Sequence, residues 1–133
     1  MEKIELVAVY GSLRKGFHNS HYLEGCKCLG EFDTNPIYDL YAVCSSFPGL
    51  IEKGNTSIRM EVYSTSNKVR EQIDRLEGYD ADNKDKNHYN KIVIDTPFGK
   101  AFTYIYNHST VRFPKIESGD WKLHKENIKS YIM

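Results

Sequence analysis

The sequence predicts an α+β domain in which short strands outnumber helices. Apolar and polar residues alternate through SIRMEVYS, residues 57–64, which is the period of a strand with one buried face. Over residues 66–77 the period becomes helical, because the apolar residues fall at Val69, Ile73 and Leu76. Several strand patterns combined with two or three short helices are typical of the α+β class.

Further strands are predicted where β-branched and aromatic residues lie between turn signals. The first is KIELVAVY, residues 3–10. Two more lie within residues 28–43, and they are separate because Pro36 has no N–H to donate to a sheet. A hairpin is predicted where YNKIVID and KAFTYIYN flank the turn signal Thr-Pro-Phe-Gly. By contrast, SSFPGL, residues 45–50, is predicted to be a loop.

Capping residues predict where the first two helices begin and end. Asn19 or Ser20 is expected to start a short helix that runs to about Gly25. Gly78 follows the helical pattern of residues 66–77 and is a natural C-terminal stop.

The C-terminal half predicts a loop and a last helix. DADNKDKNH, residues 80–88, is polar throughout and predicts a mobile loop. Asp120 is expected to cap a helix, whose apolar residues are Trp121, Ile128 and Ile132.

Length and charge limit the classes of function. A chain of 133 residues can bury one sizeable core but not two, so we expect a single domain over residues 1–133. Lys and Arg together number 18, as do Asp and Glu, and the net charge is zero. Nucleic-acid-binding proteins normally carry a basic surplus, so we expect no nucleic-acid partner.

The expected location is the cytoplasm, with no membrane partner. No apolar run approaches the roughly 20 residues of a membrane-spanning helix, and the opening Met-Glu-Lys-Ile-Glu does not resemble a signal peptide. The cysteines are odd in number and lack a disulfide framework spacing, at Cys26, Cys28 and Cys44. This pattern favours a reducing compartment.

A metal site formed by Cys26, Cys28, His18 and His21 is one interpretation of the N-terminal third. Structural zinc usually shows paired C-x₂₋₄-C or H-x₃₋₅-H spacings, which these residues lack. The simpler interpretation is small apolar side chains on a strand and two histidines in a loop. We therefore expect no bound metal.

An abrupt polar turn, YGSLRKG, follows the first strand at residues 10–16. Gly11 is free of the steric limits on other residues, and a Gly-Ser turn leaving a strand often points successive N–H groups at one spot. Such a concavity suits a carboxylate or a phosphate. It is not a P-loop, because Phe17 and His18 replace the required Lys-Ser/Thr. An ordinary turn without a ligand is the alternative.

Glu77 is the candidate acid/base residue of the predicted helix. At about 100° per residue it lies roughly 40° beyond Ile73, on the edge of the buried face. It also lies in the last turn, where the helix dipole disfavours a carboxylate. Both effects raise its pKa, as a general acid/base at neutral pH requires. A half-buried Glu77 paired with a nearby cation is the alternative, and Glu71 and Asp74 are predicted to lie on the solvated face.

The chain carries an ordered set of motifs over residues 4 to about 121: VYGSLRKG, FPGL, MEVY, IDRLEGYD, HYNK, FTYIY and ESGDW. Together they resemble the γ-glutamylcyclotransferase-like family, and most closely its bacterial and γ-glutamylamine cyclotransferase branches. The resemblance implies a small mixed β-barrel with a few short flanking helices and a pocket at one mouth.

The resemblance also implies which residues form a site. The family's Tyr-Gly-Ser-Leu loop, whose backbone would hold the α-carboxylate of a γ-glutamyl group, falls on Tyr10, Gly11, Ser12 and Leu13. The family's acid/base glutamate falls on Glu77, and its pocket aromatic residues fall on Tyr89 and on Tyr104 or Tyr106.

Such a site would catalyse an intramolecular reaction. The α-amine of a small γ-glutamyl substrate attacks its own γ-carbonyl, which forms 5-oxoproline and expels the amide-linked amine. Binding supplies proximity, and Glu77 moves the proton, so neither a metal nor an organic cofactor is required. The alternative is a non-catalytic binding module that holds a small anionic metabolite in the same pocket, although a buried carboxylate would serve such a module poorly.

Overall fold

The computed structural model describes residues 3–132, with side chains through residue 128. The strands within this range are β1 (Glu5–Val9), β2 (Lys27–Asp33), β3 (Tyr38–Ala42), β4 (Pro48–Thr56), β5 (Arg59–Thr65), β6 (Tyr89–Thr96) and β7 (Gly99–Tyr106). The helices are α1 (Asn67–Glu77), α2 (Trp121–Ile132) and a 3-10 turn, Ser20–Leu23. The predicted α+β class is confirmed.

The strands form a five-stranded sheet in the order β2-β5-β1-β7-β6 and a two-stranded sheet of β3 and β4. β1 runs parallel to β7, and the other neighbouring strands are antiparallel. Across the described residues the strands do not close into the barrel that the resemblance implied. Instead, the smaller sheet packs over the larger one, and β4 contacts β7.

β1 lies at the centre of the larger sheet, and both of its faces are covered. Val7, Ala8 and Val9 are all buried, as expected for a strand that packs on two sides. Ala8 faces the core shared with the smaller sheet and α2, whereas Val7 and Val9 face the core beneath α1. Packing of β1 against both cores therefore fixes the position at which the following residues leave the sheet.

The predicted loop over residues 45–50 is wrong in its second half. Pro48 starts β4 and pairs with Ala42 of β3, because a proline is tolerated at the first position of a strand. Gly49 is required there, since a Cβ atom would lie 2.8 Å from the Tyr106 Cβ. The rest of β4 is largely exposed and polar, so it lacks the alternation that marks a strand.

The boundaries of α1 are confirmed. Ser66 caps its N-terminus by accepting a hydrogen bond from the Val69 N–H at 3.3 Å. Gly78 ends the helix in the left-handed conformation with φ of 68°, and its N–H donates to the Asp74 and Arg75 carbonyls. This C-terminal cap places Glu77 in the last helical turn.

The other predicted helix ends have mixed outcomes. Asp120 caps α2 through a 3.2 Å hydrogen bond from the Leu123 N–H, as predicted. The helix predicted to begin at Asn19 or Ser20 is only a 3-10 turn, and Asn19 donates its side chain to the Ser12 Oγ instead of capping it. In α2, Trp121 is buried and Ile128 is largely exposed, while the Ile132 side chain lies outside the described residues.

The polar segment of residues 80–88 is a series of turns closed by a side-chain clamp. Asn87 is buried, donates to the Asp80 carbonyl at 2.8 Å and accepts a hydrogen bond from the Asp80 N–H. The segment therefore leads from α1 into β6 with a defined path. Within the described range, no helix is both long enough and apolar enough to cross a membrane.

Candidate active site

A cavity opens where β1 ends, between the opening turn, the last turn of α1, and strands β6 and β7. It has about 340 Å³ of empty space, including its open mouth. Its lining brings together every residue proposed for the site from the sequence, namely Tyr10, Gly11, Ser12, Leu13, Glu77, Tyr89 and Tyr104. Tyr106, the alternative to Tyr104, does not line this cavity and packs edge-on against Tyr89 with the ring centroids 5.4 Å apart.

The residues of the opening turn that line the cavity have unused N–H groups. Arg14 donates its N–H to the Gly11 carbonyl, and Lys15 donates its N–H to the Glu61 carboxylate. Among the described residues, no acceptor is bound by the N–H groups of Gly11, Ser12 or Leu13. Successive free N–H groups in a turn are a binding feature for anions.

Gly11 is a glycine because of a close contact, not because of its backbone angles. The expectation that Gly11 uses a conformation closed to other residues is wrong, because its φ is not positive. A Cβ atom at this position would instead lie 2.6 Å from the Pro48 Cδ. The turn and the start of β4 therefore approach too closely for any larger residue.

Glu77 lies in the cavity with its carboxyl group unpaired. Within the described part of the chain, it makes no hydrogen bond and no ion pair, so the predicted alternative of a pairing cation is not found. Burial, followed by repulsion from the Asp74 carboxylate, raises the pKa of Glu77 to about 7. A carboxyl group with this pKa exchanges protons readily at neutral pH.

Asp74 does not lie on a solvated face, contrary to the prediction. Lys91 places its Nζ 3.0 Å from both Asp74 oxygens, and the Tyr104 hydroxyl donates to Asp74 Oδ1 at 2.5 Å. The helical period predicted its angle away from the apolar stripe correctly. It could not predict that β6 and β7 cover that flank of the helix.

The cavity tyrosines contribute rings, because their hydroxyl groups are bound within the protein. Tyr10 donates to the Tyr104 carbonyl at 2.7 Å and accepts from the Leu50 N–H, while Tyr89 donates to the Pro48 carbonyl at 2.6 Å. Burial raises the pKa of all three phenols, so they stay neutral. They form rigid, uncharged walls.

A second, more open cavity adjoins the first and shares Ser12, Phe47, Glu77 and Tyr89 with it. The residues it adds are His18, Asn19, Ser46, Leu76 and His88. Glu77 thus lies where the two cavities meet. The sequence signal for this cavity was the FPGL motif, but Phe47 was not identified as a lining residue.

The cysteine and histidine residues considered for a metal site are spread over a turn and a strand edge. The thiols of Cys26, Cys28 and Cys44 are free. Over residues 3–132, no group of three or more His, Cys, Asp or Glu side chains has an arrangement suited to a metal ion.

Comparison with known proteins supports the assignment suggested by the motifs. The family model described as gamma-glutamyl cyclotransferase, AIG2-like, matches residues 7–123. A Vibrio cholerae relative named after the same activity is 40% identical over 116 residues, which cover 87% of this chain and 94% of that protein. The Escherichia coli gamma-glutamylcyclotransferase family protein YtfP is 34% identical over 86% of this chain and 94% of its own length.

The fold agrees with solved structures. An uncharacterised Pyrococcus horikoshii protein superposes with a TM-score of 0.77 at 30% identity, covering 96% of this chain and 98% of that one. A mouse AIG2-like protein superposes with a TM-score of 0.68 at 18% identity, covering 88% of each chain, and this likeness concerns the fold alone. On the family match and the identity to these relatives, the chain belongs to the AIG2-like gamma-glutamyl cyclotransferase family.

Proposed function

We propose that this protein is an enzyme that cyclises a γ-glutamyl amine or amide to 5-oxoproline and releases the free amine. The observation that carries the proposal is the unpaired Glu77 carboxyl, which shares one cavity with the free N–H groups of Gly11, Ser12 and Leu13. An anion site and a proton-exchanging group within a single small cavity match the two ends of a γ-glutamyl substrate.

In this proposal the opening turn binds the α-carboxylate of the substrate. The N–H groups of residues 11–13 donate to it, and the rings of Tyr89 and Tyr104 confine the glutamyl chain. A fixed carboxylate and a narrow cavity fold the chain back, so that the α-nitrogen approaches the γ-carbonyl carbon. Pre-ordering of this kind is a large part of the catalysis of ring closure.

Glu77 carries the proton in the proposed reaction. Its ionised form takes a proton from the α-ammonium group, and the neutral amine then attacks the γ-carbonyl. As the bond from the γ-carbon to the leaving nitrogen breaks, Glu77 donates the proton to that nitrogen, and the ring nitrogen loses its second proton to the released amine or to water as it becomes an amide. The leaving amine extends into the open cavity beyond Glu77, which is lined by His18, Asn19, Leu76 and His88.

The test is an assay of 5-oxoproline release over a panel of γ-glutamyl amines, amides and dipeptides. We expect at least one substrate to be turned over by the wild type and by Glu71→Gln, which removes a carboxylate from the exposed side of α1. Glu77→Gln should bind 5-oxoproline without turnover. If the wild type binds 5-oxoproline but turns over no substrate of the panel, the protein is a binding module.

The free thiols agree with a cytoplasmic location, which we include in the proposal.

A further inference from the structure

Asp74 is held from two sides by residues that lie opposite each other in the β6–β7 hairpin. Lys91 and Tyr104 form a cross-strand pair, so their side chains project from the same face of the sheet. The Lys91 ammonium contacts both Asp74 oxygens at 3.0 Å, and the Tyr104 hydroxyl donates to one of them at 2.5 Å. The Asp74 and Lys91 side chains are only 24% and 15% exposed, so this pair is largely shielded from water.

This arrangement connects the last turn of α1 to the wall of the cavity. Asp74 precedes Glu77 by three residues, and residues at this spacing lie on neighbouring parts of a helix surface. Tyr104, which holds Asp74, also lines the cavity, and its carbonyl accepts the Tyr10 hydroxyl at 2.7 Å. The position of one carboxylate therefore links the Glu77 turn, β7 and the opening turn.

Among the titratable groups around Glu77, Asp74 supplies the charge that acts on the Glu77 carboxyl group. The other titratable groups that face the same cavities are Tyr10 and His18 near the opening turn, His88 and Tyr89 at the start of β6, and Tyr104 on β7. The three tyrosines are neutral, and burial together with the nearby His108 lowers the pKa of His88. The Lys91 ammonium is paired with Asp74, with its Nζ 3.0 Å from Asp74 Oδ2.

We infer that Asp74 is a positioning residue of the site: held by Lys91 and Tyr104, it fixes the last turn of α1 against the hairpin and places a carboxylate charge beside Glu77. The inference rests on the proposed function, in which Glu77 exchanges the substrate proton. Lys91 has the opposite effect on the Glu77 carboxyl group, because its ammonium group partly neutralises the charge of Asp74. The pair thus sets the pH at which Glu77 changes from acid to base.

The experiment follows the titration of the Glu77 carboxyl directly. The protein is labelled with ¹³C at its glutamate carboxyl carbons, and the Glu77 resonance is assigned by its absence in Glu77→Gln. Titration midpoints are measured for the wild type, Asp74→Asn, Lys91→Met and Lys91→Arg. Glu71→Gln is the matched control, since it removes the same charge from the exposed side of the same helix. Each variant is first checked for cooperative thermal unfolding.

The two key variants are expected to shift the midpoint in opposite directions. Asp74→Asn should lower the Glu77 midpoint by about 0.5–1 pH unit, because it removes a repelling charge. Lys91→Met should raise it, Lys91→Arg should restore it, and Glu71→Gln should leave it unchanged. A structural disturbance alone would not produce shifts of opposite sign.

The inference is overturned if Asp74→Asn titrates like Glu71→Gln, or if Lys91→Met fails to raise the midpoint. Should Asp74→Asn not fold, the Lys91 variants alone decide the matter. Because the titration needs no substrate, its result can be interpreted even if the wild type releases no 5-oxoproline. Failure of the proposed function is therefore distinguishable from failure of this inference.

Discussion

The Arg14 guanidinium donates from Nε to Glu61 Oε2 at 2.9 Å, and both side chains are almost completely buried. The same guanidinium contacts Asp120 at 2.9 Å, while Glu61 also accepts from the Lys15 N–H and from the Tyr63 hydroxyl. This pair joins the end of the opening turn to β5 and to the start of α2. The buried ion pair therefore anchors the turn that carries the unused N–H groups.

Loss of Arg14 should be strongly destabilising. Arg14→Met leaves the Glu61 carboxylate buried without its cation, and removal of one partner of a buried pair costs about 3–5 kcal/mol. The control is Arg59→Met, because the ion pairs of Arg59 with Glu31 and Asp33 are much more exposed and should contribute about 1 kcal/mol or less. Chemical denaturation measures both variants. Equal losses of stability for Arg14→Met and Arg59→Met would contradict the expectation that the buried ion pair contributes more than the exposed ones.

The opening turn should tolerate no side chain at Gly11. The added Cβ would meet Pro48 at 2.6 Å, so even Gly11→Ala must move the turn, and Gly11→Val must move it further. A lost charge-assisted hydrogen bond is worth about 1.5–3 kcal/mol, so 5-oxoproline should bind about 10- to 100-fold more weakly. Calorimetry on the folded variants measures this effect.

Ser12→Ala is the comparison for Gly11. It removes only the Oγ that accepts a hydrogen bond from the Asn19 side chain, so its effect on affinity should be small. If Gly11→Ala binds as tightly as Ser12→Ala, the turn is not the anion site.

The stability of the protein should fall as pH rises through the range in which Glu77 ionises. Its pKa is about 7 in the folded protein and 4.5 for an unperturbed glutamate, so the folded state binds more protons between these two values. Stability therefore decreases as pH increases across this window, and the total loss is of the order of 3 kcal/mol. Below the lower value Glu77 is protonated in both states and contributes no dependence.

Glu77→Gln removes this dependence. The variant should match the wild type near pH 4 and be more stable than it near pH 8, by about 3 kcal/mol. Urea denaturation at both pH values is the measurement. A wild type and variant that differ equally at both pH values would show that folding does not shift the pKa of Glu77.

Turnover should show the same group in its pH dependence. If ionised Glu77 accepts the substrate proton, kcat/KM should rise through an apparent pKa near 7, which is the value that burial and Asp74 produce. Glu77→Gln should lose turnover by several orders of magnitude while it retains 5-oxoproline affinity. A variant with wild-type turnover would require another residue to carry the proton.

Local patterns were sufficient for much of the fold and for the position of Glu77. The change from alternating to helical period marks the step from β5 to α1, and Gly78 marks the end of that helix. The unused N–H groups also follow from a Gly-Ser turn that leaves a strand. These features depend on residues near one another in the chain, and backbone geometry therefore determines them.

Other features depend on contacts between residues far apart in the sequence. Gly11 is needed because Pro48 lies against it, and Asp74 is shielded because Lys91 and Tyr104 reach it from the hairpin. The sequence alone determined where the carboxyl of Glu77 lies on its helix and that it approaches the buried face. Packing of α1 against the sheet determined which charge acts on Glu77. A periodic pattern indicates which side of a helix or strand is buried, but it does not indicate which residues of another element contact that side.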